Sequence, residues 1–127
     1  MHELAITQQL LEIALQTAQT AGARRVTAIE LAVGDLSSIV DDSVQFYFDL
    51  LSAGTAAQGA QLRFRREAAL LCCRSCGYRQ EARLPLDAAC PQCGGLELSL
   101  SGGRAFGVTH IEVDDDTSSR TTYSERE

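Results

Sequence analysis

The sequence contains no lysine and no tryptophan, only two histidines and two prolines, and no long hydrophobic run. A membrane-spanning helix requires roughly 18–20 consecutive apolar residues, so we expect no membrane segment. All 11 basic residues are arginines, and 17 acidic residues leave a net charge of −6. Because non-specific nucleic-acid binding depends on neutralising phosphates, an acidic chain is a poor candidate for that function.

The overall composition is that of a globular protein. The 127 residues correspond to one ordinary domain, or to a small domain with an appendage. Hydrophobic residues make up 45% and charged residues 22%, which excludes global disorder. The start, Met1-His2-Glu3-Leu4, lacks the basic and apolar regions of a secretory signal. We therefore expect a cytoplasmic protein.

Hydrophobic periodicity predicts two helices and three strands. The elements are a helix over about 4–21 whose apolar stripe begins at Leu4, a strand over 26–33, a helix that starts near Asp41 and ends before Gly54, a strand over 60–67 and a strand over 104–113. Strict alternation places Thr27 on the apolar face of the first strand, and Val108 opposite Ile111 on the last. It also places Arg66 on the same face as Leu62 and Phe64. These elements predict an α+β fold, with two helices against a three-stranded sheet.

Residues 69–99 differ in composition from the segments around them. They contain all five cysteines and both prolines, and such a short, apolar-poor segment needs a staple to fold. Because the alternating pattern resumes afterwards, we interpret 69–99 as a unit inserted into a domain formed by residues 1–68 and 100–113. Residues 114–127 are polar and carry five acids against two arginines, which predicts a disordered acidic tail.

Four of the cysteines form two pairs with metal-ligand spacing. Cys73 and Cys76 are separated by two residues, as are Cys90 and Cys93, and glycine follows each pair. Two intervening residues let both thiolates reach one ion, and the glycine lets backbone N–H groups point at sulfur. Four thiolates suit tetrahedral zinc, and they leave it no open position. The pattern therefore predicts a structural zinc site, rather than disulfides, in a cytoplasmic protein.

The fifth cysteine, Cys72, has several possible roles. The interpretation we favour is a strand-end residue that packs locally. A spacing of three residues to Cys76 fits a metal knuckle less well, although Cys72 could replace Cys73 as a ligand. A spare thiol beside a zinc site could also exchange with a ligand under redox control.

The two histidines differ in their surroundings. His110 lies within a predicted strand among apolar neighbours, so we interpret it as a half-buried structural residue. His2 is different, because the N-terminal amine, the amide nitrogen of residue 2 and its imidazole can close adjacent chelate rings that favour Ni²⁺ or Cu²⁺. Oxygen ligands could come from Glu3, or from Asp35, Asp41 or Asp42 if the fold brings them close. The alternative is a frayed terminus with no role.

In combination, these features resemble the HypA/HybF family of hydrogenase maturation proteins. The resemblance covers residues 1–113 and rests on Met1-His2-Glu3 before a helix, the turn Val33-Gly34-Asp35-Leu36-Ser37, the four-cysteine ribbon and Ile111-Glu112-Val113. It implies a nickel metallochaperone, not an enzyme, that delivers Ni²⁺ to the large subunit of [NiFe]-hydrogenase with a HypB-like GTPase, and in some organisms to urease maturation proteins.

The resemblance also implies the site residues. Nickel would be bound by Met1, His2 and Glu3, and structural zinc by Cys73, Cys76, Cys90 and Cys93. Some relatives carry an aspartate in the loop before the second helix. Here Val40 stands near that place and Asp41 follows, so the resemblance implies Asp41 only as an auxiliary nickel ligand. Tyr78 and Gly94 stand where some relatives carry histidine beside the zinc cysteines, which argues against a histidine-based pH switch at zinc.

Two other functional classes remain as alternatives. A zinc ribbon can serve as a nucleic-acid-binding or protein-adaptor module, which predicts salt-sensitive binding of DNA or RNA in the first case. A zinc-dependent hydrolase would need an open zinc position and a base, which an all-cysteine set does not offer. The sequence has no GxxxxGK[ST] phosphate-binding loop, so any nucleotide hydrolysis would belong to a partner.

Overall fold

The computed structural model describes residues 2–83, 85–114 and 119–124. The helices are α1 (His2–Thr20) and α2 (Asp41–Leu51). The strands are β1 (Arg25–Gly34), β2 (Gln61–Glu67), β3 (Leu70–Cys73), β4 (Arg79–Glu81), β5 (Leu98–Ser101), β6 (Phe106–Asp114) and β7 (Ser119–Ser124). Every helix and strand predicted from periodicity is present, with its ends shifted by only a few residues.

The larger sheet has the strand order β2-β1-β6-β7. Strands β1 and β2 are parallel, whereas β6 runs antiparallel to both β1 and β7. Parallel neighbours need a crossover connection, and α2 supplies it. The predicted α+β architecture is confirmed: its three strands are β2, β1 and β6. The observed sheet has a fourth strand, β7.

Strand β7 corrects the prediction of a disordered tail over 114–127. Asp114 belongs to β6, and Ser119–Ser124 pairs with β6 in antiparallel register. The charge of the segment suggested disorder, but its centre, Thr121-Thr122-Tyr123, consists of residue types with high strand propensity. The free edge of β6 offers unpaired backbone groups to such a segment. Residues 115–118 and 125–127 lie outside the described residues.

Both helices pack on one face of the larger sheet and enclose the core. The fully buried large side chains include Leu10 of α1, Phe48 of α2, Ile29 and Leu31 of β1 and Ile111 of β6. The buried stripe of α1 consists of Thr7, Leu10, Ala14 and Ala18. Leu4, predicted to share it, is instead 38% exposed. Thr7 is accommodated because its hydroxyl donates a hydrogen bond to the Glu3 carbonyl oxygen at 2.5 Å.

A bulge near the start of β1 changes which residues face the core. Val26 pairs with Val113 and Ala28 with Glu112, so Thr27 is the extra residue. Its hydroxyl donates to the Glu112 carbonyl oxygen at 3.2 Å. Val26 is buried and belongs to the core cluster in place of Thr27, because a bulge reverses the alternation on either side of it.

A second bulge has the same effect in β6. Glu30 pairs with His110 and Leu31 with Val108, so Thr109 is the extra residue. Its hydroxyl donates to the Glu30 carbonyl oxygen at 3.2 Å. Val108 therefore lies in the core, and the expectation that it faces away from Ile111 was wrong. Period-two alternation cannot place a bulge, since the extra residue leaves no signal in hydrophobicity.

The smaller sheet has the strand order β4-β3-β5, with both pairs antiparallel. It lies in the chain between β2 and β6, and Cys73 is the last residue of its central strand. The sheet therefore holds the first cysteine pair at one end of a rigid element. Within the part of the chain that the structure describes, no helix has the length and apolar character to cross a membrane.

Candidate metal centres

Four cysteine side chains converge beside the smaller sheet. The Sγ atoms of Cys73 and Cys93 lie 3.7 Å apart, and those of Cys76 and Cys90 are also separated by 3.7 Å. All four sulfurs lie within 4.8 Å of one another. Four sulfurs bound at about 2.3 Å around a tetrahedral ion would lie about 3.8 Å apart. The observed spacing thus fits a tetrahedral thiolate site.

Two similar turns deliver these sulfurs. The N–H of Gly77 donates to the Cys73 carbonyl oxygen at 2.9 Å, and the N–H of Gly94 donates to that of Cys90 at 2.8 Å. Both glycines have positive φ angles, of 84° and 75°, which explains why glycine follows each pair. The backbone N–H of Gln92 also donates to Cys90 Sγ at 3.3 Å.

The surroundings of the cluster favour deprotonation of one cysteine but oppose deprotonation of several cysteines at once. The backbone N–H of Cys76 is the main group that lowers the pKa of the Cys73 thiol, to about 6. The N–H of Tyr78 favours the Cys76 thiolate, but burial and the sulfurs of Cys93, Cys73 and Cys90 together raise the pKa of Cys76 to about 12. Four adjacent thiolates repel one another, and a bound divalent cation removes that repulsion.

Cys72 is not part of the cluster. It is half-buried in β3, where its backbone pairs with Arg79 of β4 and Ser99 of β5. Its side chain points to the opposite face of the strand from that of Cys73, as alternation requires.

The start of α1 lies against the turn that precedes α2. The backbone N–H of Val40 donates to Glu3 Oε2 at 3.2 Å. Val40 is the N-cap residue of α2 and has no side chain that could cap the helix. In a capping box, a glutamate in the first turn of a helix accepts a hydrogen bond from the N–H of the N-cap residue of that helix. Here Glu3, which belongs to α1, accepts the corresponding hydrogen bond from the N-cap residue of α2. Met1 and the side chain of His2 lie outside the described residues.

Asp41, the predicted auxiliary ligand, is held by an arginine. Its Oδ1 atom lies 3.2 Å from Arg66 Nη2, although the pair lacks the alignment of a hydrogen bond. Arg66 also donates to the carbonyl oxygens of Gly34 at 3.3 Å and Ile39 at 3.0 Å. We did not predict this arginine as a site residue. The available signal was its position on the inner face of β2.

His110 lies among charged groups rather than apolar ones. Its Nδ1 atom is 2.8 Å from Glu30 Oε1, and its side chain is 46% exposed. Arg63 and Glu112 form an ion pair of 2.9 Å that borders the same shallow pocket. The bulge at Thr109 accounts for the difference, because it moves Val108 to the core face. His110 therefore does not share the outer face of the sheet with this apolar residue. Among the described residues, only the four cysteines form a cluster able to hold a metal.

Comparison with known proteins agrees with this architecture. A family model described as "Hydrogenase/urease nickel incorporation, metallochaperone, hypA" matches residues 1–113. The chain belongs to the HypA family. A hydrogenase maturation factor HypA from Dehalococcoides mccartyi is 40% identical over 123 residues, which cover 94% of this chain and 99% of the relative. One from Geotalea uraniireducens is also 40% identical, with 90% and 100% covered.

Two solved structures of the HypA family share the fold. A solution structure of the Ni metallochaperone HypA from Helicobacter pylori aligns with a TM-score of 0.58 at 14% identity, and covers 90% of this chain and 98% of its own. A second HypA solution structure aligns with a TM-score of 0.66 at 16% identity, with 91% and 98% covered. At these identities the likeness concerns the fold alone.

Proposed function

We propose that this member of the HypA family is a nickel metallochaperone in hydrogenase maturation that binds Ni²⁺ at its N-terminus. The ligands would be the amine of Met1, the amide nitrogen and imidazole of His2 and the carboxylate of Glu3. The contact between Glu3 and Val40 carries this assignment, because it anchors the residue next to His2 against the body of the protein. A site on an anchored helix start loses less conformational entropy on binding than a frayed terminus.

The position of His2 in the helix suits the role of its amide nitrogen. Residue 2 is the first residue of α1, and the first N–H groups of a helix have no intrahelical partner. Binding metal there breaks no helical hydrogen bond. The positive end of the helix dipole opposes a cation by about 0.3–1 kcal/mol, which Glu3 offsets. Such a balance suits a site that must release its ion.

Asp41 fits this site only as a secondary ligand. Its carboxylate is engaged by Arg66, so binding nickel through Asp41 would require that ion pair to open or to share an oxygen. Glu3 is better placed, because it directly follows His2 in the chain and its carboxylate accepts the neutral N–H of Val40, which leaves further acceptor capacity for a metal.

The four-cysteine cluster would hold structural zinc. Its closed set of thiolates leaves no position for a substrate, which supports a non-catalytic protein. We assign residues 69–99 to a zinc-ribbon domain, and residues 1–68 and 100–113 to the nickel-binding domain. The ion would stabilise the zinc-ribbon segment, because its small sheet and its loops bury few large side chains.

The protein would act with partners in the cytoplasm. The family description concerns hydrogenase and urease nickel incorporation, which supports delivery to a hydrogenase large subunit and, in some organisms, to urease maturation proteins. A HypB-like GTPase would supply nucleotide hydrolysis, since this sequence has no phosphate-binding loop of the GxxxxGK[ST] type.

Nickel titration by calorimetry on tag-free, zinc-loaded protein tests the N-terminal site. We expect that one residue added before Met1, or His2→Ala, abolishes binding while zinc content is unchanged. His110→Ala is the matched control and should bind nickel normally. Because protons compete for the imidazole and amine, affinity should fall as the pH drops towards 5.5. Equal binding by the extended chain, or unchanged affinity at pH 5.5, would place the site elsewhere.

A further inference from the structure

Arg66 lies at the end of β2 and reaches across to the turn between β1 and α2. Its guanidinium donates to the carbonyl oxygens of Gly34 and Ile39 at 3.3 and 3.0 Å. It also lies 3.2 Å from the Asp41 carboxylate and 3.9 Å from that of Asp35. One planar guanidinium thus contacts both ends of the turn formed by residues 34–41, which we call the 34–41 turn.

The 34–41 turn needs stabilising contacts from outside the turn. Ser38 has a φ angle of 60°, and a residue other than glycine is strained in this left-handed region. Within the turn, the Ser37 hydroxyl donates to the Gly34 carbonyl oxygen at 2.7 Å and accepts from the Ile39 N–H at 3.3 Å. From outside the turn, Arg66 binds the same two residues through their carbonyl oxygens, so it shares the Gly34 carbonyl with Ser37 and adds a contact to the Ile39 carbonyl. Its planar fork presents Nη1 to one oxygen and Nη2 to the other in a fixed geometry, which the single nitrogen of a lysine does not provide.

The 34–41 turn in turn holds Glu3. Val40, whose N–H binds the Glu3 carboxylate, stands between two residues that Arg66 contacts, Ile39 and Asp41. The direction of the Val40 N–H is therefore set by where Arg66 holds its neighbours. A continuous chain of contacts runs from Arg66 through the turn to Glu3, which is adjacent to His2.

We propose that Arg66 is a positioning residue of the N-terminal nickel site. It does not touch the ion. It fixes the 34–41 turn, so that Val40 holds Glu3 beside the ligands of His2. This inference rests on the proposed nickel site. Groups that orient metal ligands typically contribute about 10–100-fold to metal affinity, so we expect an effect near the lower end for a residue that acts through a turn.

The test compares two arginines of β2 that carry the same charge. Arg66→Met should weaken nickel binding about tenfold. Arg65→Met is the matched control, because Arg65 is exposed and paired only with Glu67 among the contacts described for it, at 3.3 Å; it should change affinity less than about twofold. Arg66→Lys keeps the charge but loses the fork, and its affinity should lie between. Zinc content and melting temperature are measured on every variant.

A double-mutant cycle separates positioning from general destabilisation. If Arg66 acts through Glu3, Arg66→Met should have almost no further effect in a Glu3→Ala background, because the two changes remove the same interaction. Independent, multiplying effects would overturn the proposal. A tenfold loss that Arg66→Lys restores fully would also overturn it, since charge alone would then suffice.

A second measurement does not depend on nickel. In the zinc-loaded, nickel-free protein, hydrogen exchange of the Val40 amide should accelerate at least tenfold in Arg66→Met and stay unchanged in Arg65→Met. If the N-terminal extension leaves nickel binding intact, the proposed nickel site fails, whatever the exchange data show. If the extension abolishes binding and Arg66→Met binds nickel like the unmodified chain, only the role of Arg66 fails.

Discussion

Gly34 occupies a position where any Cβ atom would collide with backbone atoms. A Cβ atom built there would lie 2.3 Å from the carbonyl carbon of Gly103 and 2.6 Å from the nitrogen of Arg104. The last residue of β1 thus passes directly against the chain that returns from the smaller sheet. The sequence identified Val33-Gly34-Asp35 only as part of a family pattern. Its physical reason is this close approach of two backbone segments.

We expect Gly34→Ala to destabilise the protein by about 3 kcal/mol, because backbone, rather than a flexible side chain, must move to make room. Gly54→Ala is the control. Gly54 has a φ angle of 80° and open space around it, so the cost there should be about 1 kcal/mol of conformational strain. Urea denaturation measures both. Equal losses for the two variants would show that contact at Gly34 is relieved without cost.

Secondary-structure elements were predictable where hydrophobic periodicity is regular. In α2 the spacing predicts an apolar stripe of Val44, Tyr47 or Phe48, and Leu51. Val44 and Phe48 are fully buried, whereas Tyr47 and Leu51 are half-buried. Periodicity failed where a single residue interrupts it. The bulges at Thr27 and Thr109 change the face of Val26 and Val108 without changing composition, so only the backbone pairing reveals them. In both cases the threonine hydroxyl binds a carbonyl oxygen across the ladder, a local polar contact that hydropathy does not register.

The two proposed metal centres differed in how far the sequence could predict their residues. The cysteine spacing predicts the four-thiol cluster, because the ligands lie in two short turns whose geometry is local. Arg66 was not predictable as a site residue, because its partners at Gly34, Ile39 and Asp41 lie at least 25 positions away in the chain. Long-range contacts of this kind depend on the parallel pairing of β1 and β2, which a pattern read along the chain cannot specify.

The pairing of β7 with β6 should be visible in amide hydrogen exchange. A chain ending at Asp114 should lose hydrogen-exchange protection at the β6 amides that bond to β7, whereas the amides that bond to β1 stay protected. The reason is that each β6 residue directs its backbone groups to one neighbour or the other. Amide exchange followed by nuclear magnetic resonance, compared with the full chain, distinguishes the two sets. Identical protection in both chains would contradict the pairing of Ser119–Ser124 with β6.

The whole molecule links the two proposed metal centres through the 34–41 turn. The N–H of Asp35 donates to the Glu67 carbonyl oxygen at 2.8 Å, and the N–H of Leu36 donates to that of Gly103 at 2.6 Å. Glu67 lies three residues before the smaller sheet in the chain, and Gly103 lies two residues after it. The turn is therefore tied to both chain segments that lead into the four-cysteine unit, while Arg66 and Glu3 tie it to the start of α1.

A cleft of about 480 Å³ lies beside the contacts of the 34–41 turn. Asp35 and Arg66 line it from the larger sheet, and Glu81 and Arg83 from the smaller one. Both walls carry one acid and one base, so neither sign of charge dominates, and we assign no ligand to the cleft. The cleft matters because residues that hold the 34–41 turn also face the smaller sheet. A change in the packing of that sheet would therefore alter the surroundings of the turn.

Loss of zinc should therefore weaken nickel binding, although the two sites share no ligand. We expect Cys76→Ala to lose zinc, to unfold the four-cysteine unit and to lower nickel affinity about fivefold, within the range of ordinary coupling between sites. Cys72→Ala is the matched control and should keep both metals. Zinc analysis and nickel calorimetry on the same samples provide the measurement. Because coupling free energies are reciprocal, bound nickel should also slow zinc release to a chelator in the unmodified chain. Normal nickel affinity in a zinc-free Cys76→Ala protein would mean that the 34–41 turn keeps its shape without the ribbon, held by Arg66 and Ser37 alone.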